Sequence, residues 1–218
     1  MNTLSAVIFD LDGTLIDSAP DLRAAVNVAL AGLGRTPLDL SIIVSFVGNG
    51  VEALVERSLI ATGGSDPDLH AQALGLFLQA YEVDRATLTQ VYPGVMPCLD
   101  HLRAQGIRLG LCTNKPQDLA EEICAALGLG PYFDALHGAR AGVPKKPDPA
   151  SLLACIADMQ GDAQRTLYVG DSAVDHATAR NSGVRFALFT GGYLNDPLDA
   201  PAPALRFDAW TQGWLEGL

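Results

Sequence analysis

Short apolar runs recur along the chain, and their spacing predicts an alternation of strands and helices. Ala6-Val7-Ile8-Phe9 is continuously apolar and ends at Asp10. Such a run suits a strand buried on both faces of a parallel sheet. Arg108–Cys112, Thr166–Val169 and Arg185–Phe189 read the same way, the first after a Gly106 helix stop and the last after Gly183. Helical patterns fall between them, over Pro97–Ala104, Pro116–Leu127, Asp148–Met159 and Ala173–Ser182. Pro near the first turn and Gly past the last mark the ends of the second of these. This alternation predicts an α/β fold, a Rossmann-like doubly wound parallel sheet.

Residues 17–90 break the alternation. Ala19–Leu33, Leu40–Val47, Val51–Ala61 and Asp66–Ala86 all read as helix, with Leu22, Val26, Ala29, Leu30 and Leu33 at helical spacing. The division that follows is an α/β core of residues 1–16 and 91–218 carrying a helical insert of residues 17–90. Toward the end, 191–205 reads as loop, Arg206–Asp208 as a short last strand and Trp210–Leu215 as a closing helix.

Composition narrows the classes. Of 218 residues, 49% are apolar and 18% charged, enough for a real core. The net charge of -11 argues against a nucleic-acid partner, which would need a basic face. It would also repel a phosphate ester, so any attraction for one must be local. Ala6–Phe9 is too short for a membrane span or a signal segment. Cys98, Cys112, Cys124 and Cys155 form no C-x-x-C pair and sit among apolar neighbours, which predicts buried reduced thiols and a cytoplasmic protein.

Four polar clusters fall at or near predicted strand ends, where open α/β sheets bind ligands. Asp10-Leu11-Asp12-Gly13-Thr14 places two carboxylates two residues apart, an arrangement that asks for a cation or protons. Thr113-Asn114-Lys115-Pro116 offers a hydroxyl, an amide and helix-start N–H groups suited to phosphate. Lys145-Lys146-Pro147-Asp148-Pro149 brings a point charge to the sheet edge. Gly170-Asp171-Ser172-Ala173-Val174-Asp175 supplies carboxylates one helical turn apart, the oxygen donors Mg²⁺ takes. Taken singly, these also read as an Asp-Gly turn, a helix cap, solvated lysines and an Asp N-cap. Their order, each following a strand, is what favours a site.

Together D-x-D-G-T, the strand-terminal Thr113, K-P-x-P and G-D-S-x-x-D resemble the four motifs of the haloacid dehalogenase superfamily, and the helical insert resembles its C1 cap. Within it, the runs Asp10–Leu22, Val47–Leu59, Pro93-Gly94-Val95 and Thr113–Pro116 are similar to phosphoglycolate phosphatases. The resemblance implies a Mg²⁺-dependent phosphatase acting on a small phosphorylated metabolite, 2-phosphoglycolate first, as a monomer or homodimer. It makes Asp10 the nucleophile and Asp12 the general acid and base. Thr113 and Asn114 would hold phosphate oxygens and Lys146, chosen over Lys145 by the K-P-x-P spacing, would neutralise charge. Asp10, the backbone carbonyl of Asp12, and Asp171 would bind Mg²⁺, with Asp175 at or beside the ion.

Asp12 argues against dehalogenases and phosphonatases, which lack this second acid. Thr14 stands where β-phosphoglucomutase-like mutases carry an aliphatic residue. Such a mutase, a broader sugar-phosphate or pyrophosphate phosphatase, and a phosphate-sensing binding module are the alternatives. Asn49 and Gly50, in the Gly48-Asn49-Gly50 turn of the insert, are candidates for facing substrate. The insert is expected to hinge near Asp17-Ser18 and Tyr92–Gly94. His176 is expected as a partly exposed helix residue, and His70, His101 and His137 as isolated side chains without ligand spacing.

Overall fold

In the computed structural model, which describes residues 4–83 and 86–215, the chain runs through β1 (Ala6–Phe9), β2 (Ile16–Asp17), α1 (Ala19–Gly32), α2 (Leu40–Val44), α3 (Val51–Ala61), α4 (Pro67–Val83) and β3 (Gln90–Val91). It continues through α5 (Val95–Ala104), β4 (Arg108–Pro116), α6 (Gln117–Ala126), β5 (Ala135–Ala139), α7 (Ala150–Asp158), β6 (Thr166–Gly170), α8 (Ala173–Ser182), β7 (Arg185–Phe189) and β8 (Leu205–Phe207). Six strands form one parallel sheet in the order β5-β4-β1-β6-β7-β8. β1 is internal, with all four side chains buried, and this is why its sequence is apolar without alternation.

Successive residues still point to opposite faces. Val7, Phe9, Leu109, Leu111 and Val169 pack on one side, and Ala6, Ile8, Cys112, Tyr168 and Leu188 on the other. The first cluster continues into the helical insert through Leu22, Val26 and Leu30 of α1, Leu54 and Leu59 of α3 and Phe77 of α4. Each such side chain contributes about 1.5–3 kcal/mol by leaving water. The insert is therefore packed on the sheet end, with no exposed apolar seam between them at these residues.

The two chain crossings into and out of the insert are paired. β2 and β3 are antiparallel, Ile16 opposite Val91 and Asp17 opposite Gln90, and the Tyr92 N–H donates to the Leu15 carbonyl at 3.0 Å. The buried Asp21 carboxylate accepts from the Leu88 and Thr89 N–H groups and from the Thr89 hydroxyl, tying the exit segment to α1.

Several expected boundaries move. β4 runs on through Thr113–Pro116, so Pro116 ends a strand and caps α6 rather than opening the helix. β5 was not expected; Ala135-Leu136-His137-Gly138-Ala139 lacks an apolar run because it is the edge strand. α2 stops at Val44 and α7 begins at Ala150. α4 ends at Val83; Asp84 and Arg85 of the expected Asp66–Ala86 helix lie outside the described residues, and Ala86 is not helical. The closing helix over Trp210–Leu215 is replaced by a turn, because Trp210 packs edge-on and Trp214 tilted against Phe207, with ring centroids at 4.9 and 4.6 Å. Among the described residues no helix is long and apolar enough to cross a membrane. All four cysteines are free and buried.

Candidate active site

β4, β1 and β6 are neighbours, so their carboxyl ends bring Thr113, Asp10 and Asp171 together. Asp10 directly follows β1 and its N–H donates to the Val169 carbonyl at 2.9 Å. The chain then turns tightly, with the Gly13 N–H donating to the Ile16 carbonyl at 2.8 Å. Gly13 has φ +82°, and a Cβ there would overlap the Asp171 carboxylate and the Tyr193 ring. This close approach lets the Thr14 hydroxyl donate to Asp171 Oδ1 at 2.8 Å. The Tyr193 N–H holds Asp171 Oδ2 at 2.6 Å.

Asp10, Asp171 and Asp175 are all buried, and one carboxylate oxygen from each lies within 4.8 Å of the others. Burial pushes the Asp10 carboxyl up to about 6, against the opposing pull of Lys146 and with the help of Asp175. Burial, then the Asp175 and Asp10 charges, also hold Asp171 well above the usual carboxylate range. The Lys146 ammonium is 1% exposed and lies 2.9 Å from Asp10 Oδ1 and 2.7 Å from Asp175 Oδ1. Burial alone would lower it, but Asp10 and Asp175 outweigh that and keep it above the ordinary lysine range.

Asp175 is engaged on both oxygens. Oδ1 accepts from Lys146 and from the Tyr168 hydroxyl, and Oδ2 from the Ser172 N–H and hydroxyl, closing a capping box on α8. Asp10 Oδ1 differs. Lys146 faces it off the hydrogen-bonding direction, so this buried oxygen has an ionic neighbour but no hydrogen-bond donor. Three clustered carboxylates against one ammonium, with a buried oxygen short of a donor, form a hard-oxygen donor set that fits a divalent cation such as Mg²⁺.

Thr113 and Asn114 are buried beside Asp10. The Thr113 hydroxyl accepts from the Lys115 N–H at 3.2 Å. The Asn114 amide is occupied: Nδ2 donates to the Gly48 carbonyl at 3.2 Å and the Lys146 carbonyl at 3.1 Å, and Oδ1 accepts from the Lys146 N–H at 2.8 Å. Its side chain thus clips the K-P-x-P loop and the insert to β4.

Lys115 was missed in the sequence. Its side chain is 3% exposed, and Nζ donates to both oxygens of Asp12 at 3.0 and 3.2 Å and to the Tyr81 hydroxyl of α4 at 3.0 Å. The Ser18 hydroxyl also donates to Asp12 Oδ1, at 2.6 Å. A small cavity lies above Asp10 and Asp12. Thr113, Asn114 and Lys115 line it from the core, and Leu22, Val47, Gly48, Gly50, Val51 and Leu54 from the insert. Gly50 is therefore at the cavity and also N-caps α3, whereas its neighbour Asn49 is not part of the lining.

Lys145 is not part of the lining, but its exposed Nζ lies beside Gly50 at the cavity's insert side, where it pairs with Glu52 of α3 at 2.6 Å. His176 is buried, not partly exposed as expected, because α8 turns it toward Phe186, with ring centroids 5.3 Å apart. His70 meets the Glu52 carbonyl, His101 the Gln105 amide and His137 the Asp158 carboxylate, all away from the cavity.

Comparison with known proteins gives a consistent picture. The haloacid dehalogenase-like hydrolase family model matches residues 4–183. A phosphoglycolate phosphatase of Cereibacter sphaeroides is 51% identical over 197 residues, 89% of each chain. One of Pseudomonas putida is 43% identical over 206 residues, 93% of this chain and 75% of that one. A crystal structure described as a predicted phosphoglycolate phosphatase of Haemophilus somnus 129PT superposes with a TM-score of 0.91 at 27% identity, covering 99% of this chain and 98% of that one.

Proposed function

The chain belongs to the haloacid dehalogenase-like hydrolases, and on that footing we propose that it is a Mg²⁺-dependent phosphatase converting 2-phosphoglycolate to glycolate and phosphate through an aspartyl-phosphate on Asp10. Residues 1–16 and 91–218 form the catalytic core, and residues 17–90 a cap that covers the substrate. The protein works in the cytoplasm, in keeping with its four free buried thiols, as a monomer or homodimer. The observation that carries the mechanism is Asp10 itself. It is a buried carboxylate at a central strand end, with one oxygen free of hydrogen-bond donors and an ammonium 2.9 Å from it. The activity named for the Cereibacter and Pseudomonas relatives supports the substrate.

An Asp10 oxygen attacks phosphorus and the ester P–O bond breaks. Asp12, two residues on and held in place by Ser18 and Lys115, gives its proton to the departing oxygen. It then takes a proton from the water that attacks the aspartyl-phosphate, releasing phosphate and restoring Asp10. Thr113 and the backbone at Asn114 cradle phosphate oxygens, while Lys146 offsets the negative charge shared by nucleophile and ester. Asp10, the Asp12 carbonyl and Asp171 would hold Mg²⁺, with Asp175 fixing Lys146 behind them; the ion supplies further charge neutralisation. The apolar cap wall keeps water from the cavity during the first transfer.

The test is phosphate release from 2-phosphoglycolate with and without Mg²⁺, beside sugar phosphates and pyrophosphate, for the protein and for Asp10→Asn. A Mg²⁺-dependent preference for 2-phosphoglycolate that Asp10→Asn abolishes is the expected result. Activity spread over the other esters, still lost in Asp10→Asn, would keep the mechanism and overturn the substrate. Absence of release from every ester would overturn both.

A further inference from the structure

The cavity holds two acids, Asp10 and Asp12, and among its lining residues a single cation, Lys115. The other nearby lysines lie outside the lining and have carboxylate partners of their own. Lys146 lies beneath Asp10, shared with Asp175 and Tyr168, and Lys145 is paired with Glu52. Lys115 is placed where the leaving group must be. The residue that protonates the ester oxygen has to reach that oxygen, and Lys115 Nζ sits within 3.0 Å of that residue, Asp12. Beyond it the walls are Leu22, Val47, Val51 and Leu54, all apolar. An anionic group on the leaving alcohol would be costly to bury among them without a cation. A neutral alcohol would need none.

Resting on the phosphoglycolate reading above, we propose that Lys115 is the specificity-determining residue, taking the substrate's carboxylate, which lies two bonds from the ester oxygen. Lys115 then serves two partners at once: Asp12, whose carboxylate it orients, and the substrate carboxylate. Tyr81 of α4 supports it from the cap, donor to hydroxyl at 3.0 Å, with the ammonium 5.2 Å from the centre of its ring. Lysine carries three N–H donors on a flexible stem, so it can exchange the tyrosine contact for a carboxylate when substrate enters.

The experiment compares kcat/KM for 2-phosphoglycolate with that for 2-hydroxyethyl phosphate, which has an uncharged CH₂OH in place of the carboxylate, in the wild type, Lys115→Met and Lys115→Arg. Any loss from misplacing Asp12, or from a fraction of misfolded protein, falls on both esters and cancels in the ratio. The expected result is a wild-type preference for 2-phosphoglycolate that falls roughly 10- to 100-fold in Lys115→Met, the value of one charged hydrogen bond. It should appear mainly as a raised KM for 2-phosphoglycolate and be partly restored in Lys115→Arg. An unchanged ratio in Lys115→Met would leave Lys115 as a support for Asp12 only and overturn the inference while the phosphoglycolate reading stands. A wild type without preference between the two esters would instead overturn the phosphoglycolate reading, and the inference with it.

Discussion

The Tyr193 hydroxyl donates to Asp17 Oδ1 at 2.5 Å, across 176 residues of sequence. The Tyr193 hydroxyl oxygen in turn accepts from the Ala19 N–H at 3.0 Å, while the Tyr193 backbone N–H donates to Asp171. One residue therefore links a carboxylate of the acidic cluster to β2 and the first turn of α1, where the chain enters the cap. On the entry side the Tyr193 bonds stand beside the two-residue β2–β3 pair, so they bear directly on how freely the chain turns there.

Tyr193→Phe keeps the ring and removes the hydroxyl, leaving the buried Ala19 N–H without its acceptor. The cost should be about 1–3 kcal/mol, read as a lower urea midpoint with unchanged slope. Proteolysis should cut the two linkers near Asp17 and Tyr92 faster than in the wild type. Mg²⁺ with a phosphate analogue should protect those linkers in the wild type by holding the cap closed. Identical cleavage with and without them would count against closure.

Asp21 makes the complementary link on the exit side. Its carboxylate serves three donors of Leu88 and Thr89. Asp21→Ala strands two backbone N–H groups, one of them on the buried Thr89. Destabilisation of about 2–4 kcal/mol is expected, larger than for Tyr193→Phe, since more donors lose their partner. Thermal unfolding of the two variants side by side checks the order.

How far the sequence could be read depended on whether the signal was local. Ala6–Phe9 and the carboxylate after it were legible because a strand buried on both faces must be continuously apolar and must end at the ligand edge. α8 was legible to the residue because Ser172 and Asp175 cap it locally and Gly183 ends it. Lys115 was not, since its partners lie 34 and 103 residues away and a lysine before a helix reads as solvated. β2 and β3 are two residues each, too short to show a period. Trp210 and Trp214 share helical spacing, but their aromatic partners Phe9 and Phe207 come from the sheet, and those contacts decide the conformation.

The acidic cluster predicts how pH and metal act together on stability. Asp10 is pushed from 3.8 to about 6 by burial. Without metal the folded chain therefore holds a proton there that the unfolded chain has already lost. The Asp10 contribution to metal-free stability should be full below pH about 4 and be lost as pH rises through about 6. A cation that binds the ionised carboxylates competes with the same proton. Mg²⁺ should raise the Tm more at pH about 7.5 than at pH about 5. Equal Mg²⁺ shifts at both pH values would mean that Asp10 is not among the residues that hold the ion.

Gly13 tests the architecture of the cluster with one methyl group. Its φ of +82° is unfavourable for any side chain, and a Cβ would overlap the Asp171 carboxylate held by Thr14 and Tyr193. Gly13→Ala must either move Asp171 from its place opposite Asp10 or shift the turn that carries Asp12. Either displacement separates groups whose function depends on position, and misplacement of this order costs roughly a hundredfold or more in rate. The loss should fall on kcat for every phosphate ester, with the Mg²⁺-induced rise in Tm also diminished. Lys115→Met should instead change the ratio between esters. If Gly13→Ala kept full activity, the close packing of Gly13 on Asp171 would have no part in holding the site together.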